Sequence, residues 1–307
     1  MRLRSIAILL ATGIAATSAQ AQQNFAAGST AAPWLKLPTS ARLAALGEAG
    51  SALSGDVDLQ NQNPAAIAGL KGQNLSLMHN AYVQDSALEH AAYGLNLMET
   101  SGLAVSVDYL SFGSVDKYKV VNNALVADGN FTPTGLTGSL AYGQSFGNLS
   151  AGVNAKYVSQ NLVGDAASAY GADLGVQYGA KESGYHYGLG LALLNVGSQL
   201  DGAELPRTWK AGLVTGMDMA SGSALNVALD FNALAAEGSF GSGSVGVEFS
   251  AASLYALRAG YKFVGNGSVG GASAGAGLNY KGFNVDYAFV NRDFLGFSNQ
   301  VSLGAKF

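Results

Sequence analysis

The sequence predicts an all-β chain: a fourteen-stranded antiparallel transmembrane β-barrel with a small N-terminal helical hatch, or plug, in its lumen. Three observations carry that prediction. Residues from Gln73 onward alternate between large apolar side chains and glycine, amide or charged ones with a period of two. The connectors between the alternating segments are short and long by turns, as in barrels with tight turns at one end and loops at the other. The chain is 49% hydrophobic and only 12% charged. Yet no segment after the N-terminus offers the roughly 18 consecutive apolar residues of a helical span.

In chain order, Arg2 and Arg4, the apolar run from Ile6 to Ala16 and the small residues of Ala19-Gln20-Ala21 form the three-part pattern of a secretory signal peptide. Residues 1–21 are therefore expected to be cleaved after export. Residues 22–72 precede the barrel as an extended lead-in, with Trp34 and Leu35 as anchors, followed by the hatch at 38–70. Ala41 to Leu53 is rich in Ala and Leu, which favour helix. Asn63-Pro64-Ala65 then supplies a capping amide and a proline suited to the first helical position. Arg42 is expected to pair with a lumen carboxylate, and Asn63-Pro64-Ala65 to fix the turn that feeds the first strand.

The barrel occupies residues 73–307. Its strands are read at 73–84, 87–99, 102–115, 136–146, 149–161, 168–180, 185–197, 208–220, 223–234, 241–251, 254–264, 271–281, 283–291 and 297–307. Parity places them: Phe283, Val285, Tyr287 and Phe289 share one face, Asn284, Asp286 and Ala288 the other. Leu149, Val153 and Tyr157 likewise oppose Ser150, Gly152, Asn154 and Lys156. Short connectors fall at Gly147-Asn148, Ser221-Gly222, Ala252-Ser253 and Gly282; longer ones at 116–135, 162–167, 198–207, 235–240, 265–270 and 292–296. A hatch at the short-turn end sets the first strand running outward. A soluble sandwich would show one clearly polar strand face, the reverse of this pattern.

With 42 Gly and 14 Tyr, the composition suits curved strands with aromatic residues at two water interfaces, and outer-membrane lipid is the expected partner. The absence of Cys removes disulfides and thiol chemistry. A formal charge of −4 gives no basic field for nucleic acid, so none is expected as a partner. The ionisable residues with lumen parity are Asp108, Lys156, Asp173, Lys210, Asp230, Glu248, Arg258, Lys262, Asp286 and Lys306. Their mixed signs fit either a polar conduit or a salt-bridge network packed against the hatch, and the network is preferred. Terminal Phe307 is expected to close the last strand as the barrel-assembly residue.

No enzyme is expected, and no catalytic, cofactor or metal site. His79, His90 and His186 lack the spacing of a metal pair. Gly241-Ser-Gly-Ser-Val-Gly246 matches a dinucleotide pattern, but it continues a strand where that motif requires a helix.

Ser40-Ala41-Arg42-Leu43-Ala44-Ala45-Leu46-Gly47-Glu48-Ala49, then Asp56, then Asn63-Pro64-Ala65-Ala66-Ile67, resembles the N-terminal signature of the PorV/PorQ family of outer-membrane proteins. That family is similar in architecture to the FadL fatty-acid transporters. The hatch motif is carried by Ala41, Arg42, Gly47, Asp56, Asn63, Pro64 and Ala65; Ser40 stands where the family often has glycine. The resemblance implies an accessory or adaptor in type IX-like protein secretion or surface attachment, with secretion components or exported cargo as partners. Short outer loops favour that reading. The alternatives are FadL-like transport of hydrophobic small molecules, captured outside and released sideways through the wall, and a plugged diffusion porin.

Overall fold

Side-chain parity decides where this backbone extends, because a strand with one apolar face and one small or polar face can lie between lipid and a packed lumen. The computed structural model describes residues 30–162, 166–234, 239–264, 270–292 and 295–307. The signal-peptide reading of 1–21 and the start of the lead-in lie outside the described residues. The strands are β1 (Gln73–Ala81), β2 (Ala87–Met98), β3 (Ser101–Ser111), β4 (Val115–Val121), β5 (Ala124–Phe131), β6 (Thr134–Phe146), β7 (Leu149–Asn161) and β8 (Ala166–Glu182). They continue as β9 (Tyr185–Gly197), β10 (Thr208–Met219), β11 (Ser223–Leu234), β12 (Ser239–Ala251), β13 (Tyr255–Val264), β14 (Gly271–Tyr280), β15 (Phe283–Asn291) and β16 (Phe297–Lys306).

All but β4 and β5 close into one antiparallel barrel of fourteen strands, in which β3 pairs with β6 and β16 returns to β1. At the seam Asn74 faces Lys306 and Ala81 faces Asn299. Gln73 and Phe307 exchange backbone hydrogen bonds of 3.1 and 2.9 Å. Closure leaves no unpaired edge in the wall.

The wall's outer surface is apolar with an aromatic band at each end. Tyr109, Tyr157, Tyr170, Trp209, Phe263 and Phe297 are exposed near the long-loop mouth, and Tyr142, Tyr185, Tyr255, Tyr280, Phe283 and Phe307 near the short turns. Between them lie exposed Val105, Leu140, Val153 and Leu191. Along β13 the eight steps from Tyr255 to Phe263 cover roughly 26 Å. At a strand tilt of about 40° that is about 20 Å of height, close to the apolar band of an outer-membrane barrel.

Two expectations are corrected. The connector 116–135 is not a plain loop: β4 and β5 form a hairpin of their own, turned by Asn122 and Asn123 at φ 50° and 67°. Both values are left-handed, the requirement of a two-residue primed turn, and Val120-Val121-Asn-Asn-Ala124-Leu125 carries that signal openly. The hairpin adds no strand to the barrel. The helix read from Ala41 to Leu53 stops at Ala45. Gly47 and Glu48 follow at φ 64° and 71°, and the rest of the hatch forms two 3-10 turns, Val57–Asn61 and Pro64–Gly69. Propensity is a weak prior, and here the wall claims the backbone donors that a longer helix would have used.

Candidate functional site

The hatch makes a near-complete circuit of the inner wall, and glycine makes the circuit possible. It begins at β16, where the Ala41 N–H donates to Ser302 Oγ at 2.8 Å. Ala45 then lies on Gly275 of β14, Gly47 on Gly260 of β13, and Leu46 on Gly246 of β12. Ser51 meets Gly212 of β10 and Gly190 of β9; Asn63 and Pro64 meet Gly175 of β8 and Gly152 of β7. Ile67 and Ala68 reach Gly143 of β6 and Gly102 of β3, and Leu70 reaches Gly94 of β2. A β-carbon at Gly143 would stand 2.5 Å from the Ala68 nitrogen, and one at Gly246 2.6 Å from the Leu46 carbonyl oxygen. At Gly102, Gly143, Gly152, Gly190, Gly246 and Gly260 the nearest atom is hatch backbone, which cannot swing aside, so these glycines form a track for the hatch main chain, while Gly94, Gly175, Gly212 and Gly275 take hatch side chains.

Polar latches fix the circuit. Arg42 forks onto Glu248, with Nε and Nη2 donating at 2.8 and 2.9 Å, and Arg258 approaches the same carboxylate at 2.7 Å. Arg258 also donates to Asp286 at 2.5 Å. Asp230 accepts from the Gly50 and Ser51 amides at 3.2 and 3.0 Å and from Ser51 Oγ at 2.8 Å. Lys210 completes that cluster at 3.4 Å from Asp230 and binds Gln62 Oε1. Asn63 Nδ2 faces the carbonyls of Ser51, Val176 and Leu191 at 2.9, 3.1 and 3.3 Å. Asn63 therefore caps its 3-10 turn and pins it to the β8–β9 wall; the bend into β1 falls instead at Gly72, φ 60°.

Histidine supplies a latch that spacing concealed. His90 Nδ1 lies 2.6 Å from Asp108 and Nε2 3.2 Å from Asp58 of the hatch, and Ser76 donates to Asp58 at 2.8 Å. Glu48 of the hatch meets Lys262 at 2.5 Å and Arg292 at 3.8 Å. Burial pushes the Glu48 carboxyl up, but Lys262 and Arg292 outweigh it and hold the group below its ordinary range.

Of the ten lumen charges named from parity, Asp108, Lys156, Asp173, Lys210, Asp230, Glu248, Arg258 and Asp286 are buried and Lys262 is half-buried. Lys306 differs: it is exposed at the short-turn rim, with Nζ 3.5 Å from the Gly55 carbonyl. Lys156 and Asp173 pair at 2.7 Å away from the hatch, beside Asn195. Asp56 caps its own turn and faces Arg42 at 3.5 Å. Glu48, Ser51, Asp58, Gln62 and His90 were not singled out as site residues by sequence, because their partners are more than 12 residues away and pairing across a lumen leaves no spacing signal. Among the described residues no group of three or more His, Asp or Glu could hold a metal ion. No described helix is long and apolar enough to cross a membrane, which says nothing of strands.

The hatch separates two cavities. That at the short-turn end, about 430 Å³, is lined by Arg42, Asp56, Glu248, Arg258 and Asp286 and is strongly polar. That at the long-loop end, about 350 Å³, is lined by apolar residues such as Leu35, Leu194 and Val264 together with charged ones such as Lys210, Lys262 and Arg292. Beside it the lead-in enters the lumen, where Ala31 N–H donates to the Glu204 carbonyl at 2.9 Å. Trp34 packs with Met78, Leu88, Leu110 and Val158, and its Nε1 donates to Thr137 Oγ1 at 2.9 Å.

A family model described as an uncharacterised protein family, UPF0164, matches residues 8–204. No curated protein matches the sequence. Among solved structures the chain is similar to the Pseudomonas putida toluene transporter TodX, at 12% identity and TM-score 0.57, covering 87% of this chain and 98% of that one. It is similar to the Ralstonia pickettii toluene transporter TbuX, at 12% identity and TM-score 0.55 over 87% and 98% of the two chains. A Pseudomonas aeruginosa FadL homologue gives 12% identity and TM-score 0.53 over 88% and 98%. At these identities the likeness is one of fold: a closed fourteen-stranded barrel of the FadL type.

Proposed function

The chain belongs to the uncharacterised protein family UPF0164, and from that premise we propose that it is an outer-membrane channel for hydrophobic compounds, of the FadL type. The observation that carries this reading is the pairing of a seated N-terminal hatch with a partly apolar cavity at the long-loop mouth, inside a wall whose exterior suits lipid. Structural neighbours described as toluene transporters and as a monoaromatic hydrocarbon channel support it. An apolar solute can enter the outer cavity, but the way straight down is closed by hatch backbone and then by charge at Glu248, Arg258 and Asp286. Apolar surface gains nothing from the polar vestibule below the hatch, so on this reading the solute leaves sideways into lipid with the hatch in place, by the parting of strands in the closed wall.

The same packing disfavours a steady diffusion pore. The secretion-adaptor role rests on the PorV/PorQ resemblance of the hatch sequence, and neither the family match nor the structural neighbours add to it. The test is uptake of radiolabelled toluene by proteoliposomes carrying the purified barrel. Uptake above empty vesicles that saturates with concentration is expected; uptake equal to empty vesicles contradicts the channel, and co-purification of exported protein cargo would favour the adaptor.

A further inference from the structure

His90 is placed so that one proton decides what it holds. It stands directly opposite Asp108, the two on β2 and β3 and both facing the lumen, with Nδ1 2.6 Å from Asp108 Oδ1. The second ring nitrogen, Nε2, lies 3.2 Å from Asp58 Oδ1 in the hatch turn Val57–Asn61. The His90 side chain is 0% exposed, and both carboxylates are buried. From β1, Ser76 donates to Asp58 Oδ2 at 2.8 Å and Met78 stands opposite His90. From β6, Thr137 stands opposite Asp108, and its hydroxyl accepts from Trp34. On the hatch, Asp56 is the further charge that Asp58 feels, and Arg42 answers it at 3.5 Å. Glu89 of β2 has the outward parity and pairs with His79 there.

A neutral imidazole has one N–H and one bare nitrogen, so it donates to one carboxylate and turns a lone pair on the other. In a buried site that second contact is costly, whereas an imidazolium donates to both. Imidazole is also more basic than either carboxylate, so a proton shared by the three belongs on the ring. Independently of what the barrel carries, we propose that His90 holds the hatch as an imidazolium, and that seating of the Val57–Asn61 turn is thereby linked to one proton. With both N–H groups present the turn is latched to β2. When one is lost, the other stays with Asp108, which is closer and fixed in register, and the Asp58 carboxylate keeps only Ser76. The latched turn binds one proton more than the released one, so the latch weakens as pH rises. The glycine track and the Arg42 fork on Glu248 take no part, which confines the release to one turn.

Two readouts on the purified barrel in lipid nanodiscs test this. The first is nitrogen NMR of the rings: the chain has three histidines, and His90 is assigned by its loss in His90→Gln. Both His90 ring nitrogens are expected to carry protons at neutral pH. The second is a nitroxide on Asn61→Cys, in a chain without native Cys. Raising the pH from neutral to strongly alkaline should increase the mobile fraction of that label about tenfold, the worth of a charge-assisted hydrogen bond. In Asp108→Asn the same rise should come at lower pH, and in His90→Gln the label should be mobile at every pH. Each variant must first keep the mobility shift of a folded barrel on an unboiled gel; if His90→Gln does not, Asp108→Asn carries the test. A single protonated ring nitrogen in the wild type at neutral pH overturns the proposal. So does a label that stays immobile until the barrel itself unfolds, or a rise at unchanged pH in Asp108→Asn.

Discussion

The two ends of the lumen are built on opposite principles. Toward the short turns the hatch backbone lies directly on wall glycines, and nearly every buried charge there has an opposite partner. Toward the long loops the lead-in touches the wall through side chains, with Trp34 in an apolar cluster and Arg292 holding an unsatisfied nitrogen beside a cavity. On the proposed channel reading, the lower end stays shut and the upper end receives. Wall glycines serve both levels differently: they take hatch backbone at one, as at Gly143 and Gly246, and the Trp34 indole at the other, at Gly135.

The comparison is broken most severely at the track. Gly143→Leu or Gly152→Leu would drive a side chain into hatch backbone and is expected to cost about 3 kcal/mol or more, unseating the hatch. Gly138→Ala, on the same strand as Gly143 but with nothing within 4 Å of the new methyl group, should change stability by less than about 0.5 kcal/mol. Urea titration followed by gel mobility distinguishes them; equal effects would remove the track. Next comes Asp230→Ala, which strips three hydrogen bonds from Gly50 and Ser51 and leaves Lys210 without its carboxylate. About 2–4 kcal/mol is expected, seen as faster hydrogen exchange at those two amides.

At the upper end effects should be smaller and local. Thr137→Val removes the acceptor of the Trp34 indole and should cost about 1 kcal/mol, with a shift in tryptophan emission but no change in exchange at the track. Acid gives the smallest effect. Because Glu48 is held below its ordinary range in the fold, its stabilisation is complete above that range and is lost as pH falls through the lowered value. Exchange at Gly47 and Glu48 should therefore quicken in strong acid, and in Glu48→Gln this step should vanish.

The barrel was legible in the sequence because a two-residue period records which face meets lipid at every position, and strands such as β7 and β15 fall at the bounds that parity sets. The hatch was legible as a unit from its composition but not in its path. Ala41 to Leu53 reads as helix because propensity is local, while the bend at Gly47-Glu48 is imposed by β13 and β12 more than 190 residues away. The lumen glycines were visible as a small-residue face; that they trace a groove follows only once adjacent strands are in register. His90 was passed over for want of a second histidine nearby, since its partners are aspartates on another strand and on the hatch.

The account turns on a hatch that stays seated while solute passes. Val57 of the hatch has its Cβ 3.4 Å from the place a β-carbon would take at Gly94 of β2, close to disulfide span, and the chain has no native Cys to interfere. Toluene uptake by proteoliposomes carrying Val57→Cys/Gly94→Cys, oxidised and then reduced, puts the claim to one measurement. Rates within about twofold of each other in the two states are predicted. Uptake abolished by oxidation and restored by reduction would show that the hatch must leave, and would contradict the account.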